Sequence, residues 1–357
     1  MSKTASQFDF NLFKQAKVFV AGPCSAETEE QVHETISELA TACPQISLIR
    51  AGIWKPRTRP NSFEGIGSIA LSWLKNAGKQ VNLPVATEVA NANHVEKALE
   101  AGIDVLWIGA RSTVSPFIVQ EIADALRGVD IPVFVKNPVN PELALWLGAI
   151  ERLEQVGLKD IAAVHRGFST YSKSIYRNVP NWEIPIELRR QAPELPILCD
   201  PSHIAGKRDL LFDVAQQAMN LQFDGLMMES HRNPSEAWSD AEQQLTPLAL
   251  KALLLNLNTE QKAVAKSEDY SELKEFRTEI DRLDNYILEL LSERMSIAKE
   301  IGKYKKLNGI AIHQAERWAD TVRRALEMGK NNGLSENFIL DLFQKIHKES
   351  LDKQTEE

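Results

Sequence analysis

A chain of 357 residues, 43% hydrophobic and 25% charged, has material for a sizeable core and more than one domain. Its net charge of -8 argues against a sequence-independent grip on nucleic acid or an anionic membrane. Three cysteines (Cys24, Cys43, Cys199) make no disulfide framework and no apolar run approaches about 18 residues, so the chain reads as soluble and cytoplasmic.

Eight short apolar runs follow in order, at 18–21, 46–49, 84–86, 105–108, 133–135, 161–164, 196–198 and 226–228. Each is bounded by Gly, Pro or charge, and the stretches between them are long enough for helices. That alternation predicts βα units and a parallel sheet. Eight in a row predict a closed (β/α)8 TIM barrel, whose active site sits at the C-terminal ends of the strands. The residues found there are Cys24, Arg50, Glu88, Arg111, Lys136, Arg166, His203 and Glu229, an excess of reactive groups for a purely structural barrel.

An apolar helix at 248–257 closes the eighth unit, so residues 1–257 are read as the barrel domain. Residues 258–270 are polar apart from Val264 and read as a linker. Residues 271–357 read as an all-helical domain. Its first helix carries an apolar stripe of Leu273, Phe276, Ile280, Leu283, Ile287, Leu290, Ile297, Ile301 and Tyr304. A second helix is predicted at 314–328 and a third from Ser335, a good N-cap. A stripe of about thirty residues spans about 45 Å, more than three helices shelter, which predicts a homodimer of interleaved copies.

Two constellations stand out in the barrel. Cys24, His203 and Glu229 follow strands one, seven and eight, which a closed barrel makes neighbours, and Asp240 lies a short loop later. A thiolate, an imidazole and two carboxylates suit a divalent transition metal, Mn, Fe, Co or Zn, over Mg. The plainer alternative is a small buried Cys24, a solvated Asp240 and Asp200 as a turn former before Pro201. The second constellation is cationic: Arg50, Lys55, Arg57, Arg111, Lys136 and Arg166, with Lys55-Pro56-Arg57-Thr58 forming a rigid turn. Six cations around one cavity would repel one another, which favours two anionic substrates, or one with several charges. The alternative places them on the rim, paired with loop carboxylates.

In the tail, Arg294 interrupts the apolar stripe seven residues after Ile287 and seven before Ile301. Lys305 lies just past the stripe, Arg277 on its flank, and Ser350 and Gln354 continue the line of Phe343 and Ile346. A buried Arg needs an anionic ligand or an ion pair, for which Glu289 and Glu293 are the nearby carboxylates.

At these motifs the chain resembles the 3-deoxy-D-arabino-heptulosonate 7-phosphate synthases, in their compact bacterial class. The matching segments are Ala21-Gly22-Pro23-Cys24-Ser25, Arg50-Ala51-Gly52 with Lys55-Pro56-Arg57-Thr58, Ile108-Gly109-Ala110-Arg111, Val135-Lys136, His165-Arg166-Gly167, Asp200-Pro201-Ser202-His203 and Met228-Glu229. The Lys-Pro-Arg-Thr turn separates them from the octulosonate-phosphate synthases, which carry a Lys-Ala-Asn-Arg type turn there. Arg59 stands where the family usually has Ser. The resemblance implies condensation of phosphoenolpyruvate with erythrose 4-phosphate, with release of phosphate. It implies a metal on Cys24, His203, Glu229 and Asp240 that polarises the aldehyde oxygen. Arg111, Lys136 and Arg166 would hold phosphoenolpyruvate, Arg50 and Lys55 its carboxylate, and Arg57 and Thr58 the distal phosphate of erythrose 4-phosphate.

Residues 271–357 resemble the all-helical chorismate mutases, through Arg277 and Asp284, Leu291-Ser292-Glu293-Arg294, Gly302-Lys303-Tyr304-Lys305, Glu316-Arg317 and the closing Ser350 and Gln354. That resemblance implies conversion of chorismate to prephenate. The partner's Arg277, Arg294 and Arg317 would bind the two carboxylates, Lys305 and Gln354 the ether oxygen, with Ser350 beside them. Trp318 replaces the family's usual Glu, which contacts the substrate hydroxyl. Chorismate or prephenate in the tail is the expected feedback signal to the barrel. Two rivals are a synthase whose tail only senses a ligand and dimerises, and a different metal-dependent aldolase.

Overall fold

The computed structural model describes residues 6–56, 63–171, 174–259 and 271–355. It divides into two compact units, Met1–Lys262 and Ala263–Glu357.

The first unit is a closed barrel of eight parallel strands in chain order. They are β1 (Val18–Gly22), β2 (Ile46–Arg50), β3 (Val85–Val89), β4 (Val105–Ile108), β5 (Val133–Lys136), β6 (Ile161–His165), β7 (Ile197–Cys199) and β8 (Gly225–Glu229). β8 closes on β1 in a register running from Val18 opposite Gly225 to Gly22 opposite Glu229. The third and seventh strands begin one residue later than the apolar runs suggest, because Pro84 and Pro196 have no N–H to give. Both still accept, from Ile49 N at 3.0 Å and Ala163 N at 2.8 Å.

Side-chain alternation along the strands aims the site. Leu48, Ala86, Phe134, Val164, Leu198 and Met227 fill the barrel interior. Two residues on, with the same orientation, come Arg50, Glu88, Lys136, Arg166, Asp200 and Glu229. Apolar interior layers thus support a polar layer at the C-terminal end. The N-terminal end is stoppered by Phe8, with Phe10, Leu12 and Phe13 packed against the same cluster. Phe8 meets Phe134 edge-on at 6.1 Å. Outside the sheet, helices such as Glu29–Ala42 bury one face (Val32, Ile36 and Leu39) and start at a cap, Thr28 Oγ1 accepting from Gln31 N.

The second unit has three helices, Ser271–Leu307, Ala315–Asn331 and Glu336–Thr355. The second is longer than its apolar pattern predicts. The third helix packs on both others, and Gly302 permits a close backbone approach: a Cβ there would lie 2.7 Å from Gln354 Cα. Within the chain the stripe of the first helix stays open, with Phe276 66% and Leu290 65% exposed. Most of the linker assigned to 258–270 lies outside the described residues. No described helix is long and apolar enough to cross a membrane.

Candidate active sites

The polar layer of the barrel frames a cavity of about 280 Å³ at the C-terminal end. Lys55, Arg111, Lys136, Arg166, His203 and Asp240 all face it. Two glycines let the layer close. A Cβ on Gly22 would fall 1.9 Å from Arg50 O, and one on Gly109 would fall 2.0 Å from Glu88 Oε1.

Cys24, Glu229 and Asp240 each offer an atom within 4.8 Å of the others, and Cys24 Sγ lies 3.3 Å from Asp240 Oδ2. His203 stands at the edge of this trio, its Nε2 3.8 Å from Glu229 Oε1. Donors bound at about 2.0–2.3 Å from one ion stand roughly 3–4 Å apart. The Cys24–Asp240 and His203–Glu229 pairs meet that spacing, and the trio as a whole lies within 4.8 Å. A thiol, an imidazole and two carboxylates suit a divalent transition metal in chemistry. Burial, then the neighbouring Glu229, push the Cys24 thiol up to about 12. Burial alone would raise the Glu229 carboxyl, but His203, Arg50 and Lys55 hold it below its ordinary value. Asp240 is also held low, against its burial, chiefly by Arg177.

The cations are not left to repel one another. Arg50 donates to Glu229 Oε1 at 3.1 Å and to Cys24 O at 3.0 Å. Lys55 Nζ sits 2.9 Å from Cys24 Sγ. Lys136 Nζ donates to Asp200 Oδ2 at 2.7 Å. The alternative of rim pairing with loop carboxylates does not describe these three cations, which meet buried groups at strand ends. Arg166 differs: its guanidinium donates to neutral acceptors, Gly167 O at 3.1 Å and Asn178 Oδ1 at 2.7 Å. Burial lowers its pKa to about 10 despite Asp200. One placement departs from expectation. Arg50 is 1% exposed, pinned against Glu229 and over the face of Trp107 at 4.9 Å, and forms no part of the cavity wall. Arg57, Thr58 and Arg59 lie outside the described residues.

The sequence model of the DAHP synthetase I family matches residues 13–266. The chain belongs to the DAHP synthetase I family. A second family model, chorismate mutase type II, matches residues 276–355. The phospho-2-dehydro-3-deoxyheptonate aldolase of Thermotoga maritima is 31% identical over 229 residues, 63% of this chain and 64% of the relative. This chain thus spans less than two thirds of that relative. A 2-dehydro-3-deoxyphosphooctonate aldolase of Francisella tularensis subsp. holarctica is 26% identical over 272 residues, 71% of this chain and 94% of its own. The crystal structure of the Thermotoga maritima DAHP synthase superposes with a TM-score of 0.60 at 29% identity, covering 67% of each chain.

Several residues of this candidate site escape a strand-end reading. Asp200, fully buried, pairs with Lys136 and also lies 2.8 Å from His203 Nδ1. Strand alternation from Leu198 marks it as inward-facing, so the alternative of a mere turn former leaves out these two contacts. Arg177 and Asn178 lie far along the loop after β6. Arg177 donates to Asp240 Oδ1 at 2.9 Å and Gln243 Oε1 at 2.7 Å, and Gln243 Nε2 in turn donates to Glu229 Oε2 at 2.6 Å. Asn178, besides accepting from Arg166, donates to His203 O at 2.6 Å. Nothing in the spacing of the sequence signals these two.

In the tail, Arg294 donates to Ser350 Oγ, and Lys305 Nζ donates to Gln354 Oε1 at 3.2 Å. Four of the expected mutase residues thus come together within one chain. Arg277 and Arg317 are exposed, outside this group. Within the chain neither Glu289 nor Glu293 pairs with Arg294, whose pKa is lowered by burial alone.

Proposed function

We propose that the barrel condenses phosphoenolpyruvate with erythrose 4-phosphate to 3-deoxy-D-arabino-heptulosonate 7-phosphate, and that the tail rearranges chorismate to prephenate. The observation that carries the synthase reading is the meeting of Cys24, Glu229 and Asp240 within 4.8 Å of one another, beside a cation-ringed cavity whose wall includes Asp240 and His203. Those four residues would hold a divalent ion, which when bound supplies Lewis-acid polarisation of the aldehyde carbonyl.

Arg166, Lys136 and Arg111 are assigned to the phosphate of phosphoenolpyruvate. Arg166 suits this best, since neutral acceptors leave its charge for the ligand. Lys55, expected near the phosphoenolpyruvate carboxylate, is the ammonium nearest the thiol and is reassigned to the aldehyde oxygen as that atom gains negative charge. The enol carbon attacks the aldehyde and a new C–C bond forms. Water then adds to the oxocarbenium left behind and gives up a proton, which neutralises the alkoxide formed from the aldehyde oxygen. The C–O bond to phosphate breaks last, releasing inorganic phosphate. Arg50 takes a different part from the one first expected: it works from below, orienting Glu229. Arg57 and Thr58 remain the assigned ligands of the distal phosphate.

The mutase reading rests on Arg294, Lys305, Ser350 and Gln354 meeting along one helix pair. A homodimer formed through the open stripe would bring in the partner's Arg277. Chorismate or prephenate bound in the tail is assigned as the feedback signal for the barrel. The alternative, a tail that only senses, draws on Trp318. One assay of the purified chain separates the readings: erythrose 4-phosphate-dependent release of phosphate from phosphoenolpyruvate, and loss of chorismate, each with and without prephenate. Release of phosphate with arabinose 5-phosphate instead would overturn the synthase assignment.

The loop after β6 supplies a further expectation. Arg177→Ala removes the bond that fixes Asp240 and, through Gln243, Glu229. Residues that orient metal ligands typically change affinity by about 10- to 100-fold, and a loss of that size is expected here. Calorimetric titration of metal-free protein with Mn measures it. Affinity within about twofold of the parent would remove Arg177 from this role.

A further inference from the structure

The tail holds one polar wall that the mutase residues named so far do not exhaust. His347, Ser350 and Gln354 are spaced by three and then four residues on the helix Glu336–Thr355, so they share a face. Ser350 accepts from Arg294 and Gln354 accepts from Lys305. His347 opens the same row, one turn earlier. Its ring lies flat against Trp318, with centroids 4.1 Å apart and planes at 15°. His313, from the segment before the second helix, stands tilted at 5.7 Å on its other contact. The Nε2 of His347 is buried and has no hydrogen-bond partner among the described residues.

A buried ring nitrogen without a partner has lost its water and gained nothing in return, which marks a group kept for a ligand. Its surroundings define the ligand's character. Burial, and then His313, Arg294 and Lys305, hold the imidazole below its ordinary pKa, so it is neutral where it faces two permanent cations. A neutral imidazole offers a hydrogen bond without drawing Arg294 and Lys305 away from a dianion. A carboxylate in the same place would compete with the ligand for them.

We propose that His347 is a substrate-contacting residue of the tail site, its Nε2 the hydrogen-bond partner of the ring hydroxyl of chorismate, with Trp318 as the positioning residue that fixes the imidazole plane. This rests on the mutase reading of the tail. It accounts for Trp318 standing where the resemblance expects a hydroxyl-binding Glu. The polar contact moves from the second helix to the third, and the indole becomes its support.

The test uses the full-length chain and two bicyclic dicarboxylate analogues of the mutase transition state, one with the ring hydroxyl and one without it. Calorimetry on the parent, His347→Ala and His347→Phe reads their affinities. The His347→Phe ring preserves the stack on Trp318 and removes the nitrogen, so it carries the test should His347→Ala fold poorly. Both variants are expected to lose at least about tenfold in affinity for the hydroxylated analogue and less than about twofold for the other. Equal losses for both analogues would reduce His347 to packing, and no loss for either would remove it from the site. A parent chain that binds neither analogue would instead overturn the mutase reading itself.

Discussion

Cys24→Ala is expected to abolish synthase turnover and to weaken metal binding by well over about a hundredfold, more than loss of an orienting neighbour costs. The expectation rests on what surrounds the thiol. Cys24 is fully buried, yet its Sγ meets Lys55 Nζ at 2.9 Å and Asp240 Oδ2 at 3.3 Å, not hydrocarbon. A cysteine kept only as a small hydrophobe would be lined by apolar side chains, and its replacement by Ala would be mild. Here the same replacement would leave an ammonium and two carboxylates around a methyl group, with one donor too few for the ion. The backbone of the variant should hold, because Cys24 N donates to Gln244 Oε1 and Cys24 O accepts from Arg50, neither through the thiol. Chelator-treated parent and variant, titrated with Mn or Co and assayed for phosphate release, check this. Recovery of the variant to parental activity would show that the thiol is not a ligand.

The barrel was legible because its strands are buried on both faces and so stand out as short apolar runs. The polar layer was legible for a related reason: residues two places beyond an interior residue share its direction, which picks out Arg50, Glu88, Lys136, Arg166 and Glu229. Asp200 obeys the same rule from Leu198, but its position before Pro201 invited a local explanation. What the sequence could not convey was pairing. Arg50 reads as a free cation until Glu229, on the other side of β1, is seen at 3.1 Å. Arg177, Asn178 and Gln243 sit in long loops without periodicity, and only tertiary contacts give them their tasks. Phe8, Phe10 and Phe13 likewise follow no helical or strand period, so their closure of the barrel floor was silent. In the tail the stripe was plain, while the stack of Trp318 on His347 needed two helices to meet.

Arg294→Ala is expected to lower chorismate turnover by about 100- to 1000-fold, the cost of removing one preorganised donor from a charge-stabilising site, and to leave the tail folded. The argument turns on what the guanidinium leaves behind. It is half-buried, bonds to Ser350 Oγ, and has no carboxylate partner among the described residues. Ser350 Oγ also donates to Ile346 O at 2.7 Å, so the variant strands no buried hydroxyl. An Arg serving only as half of a structural ion pair would leave a buried carboxylate uncompensated, and the helices would loosen. Helicity by circular dichroism, together with calorimetric binding of prephenate, distinguishes the two. The same variant probes feedback in the intact chain. If prephenate inhibits the barrel by occupying this site, Arg294→Ala should lose inhibition while keeping uninhibited synthase turnover. Binding energetics are reciprocal, so phosphoenolpyruvate should alter prephenate affinity in the parent by the factor that prephenate alters phosphoenolpyruvate affinity. A variant still inhibited at parental prephenate concentrations would place the sensor elsewhere in the molecule. A variant whose tail melts would return Arg294 to a structural role.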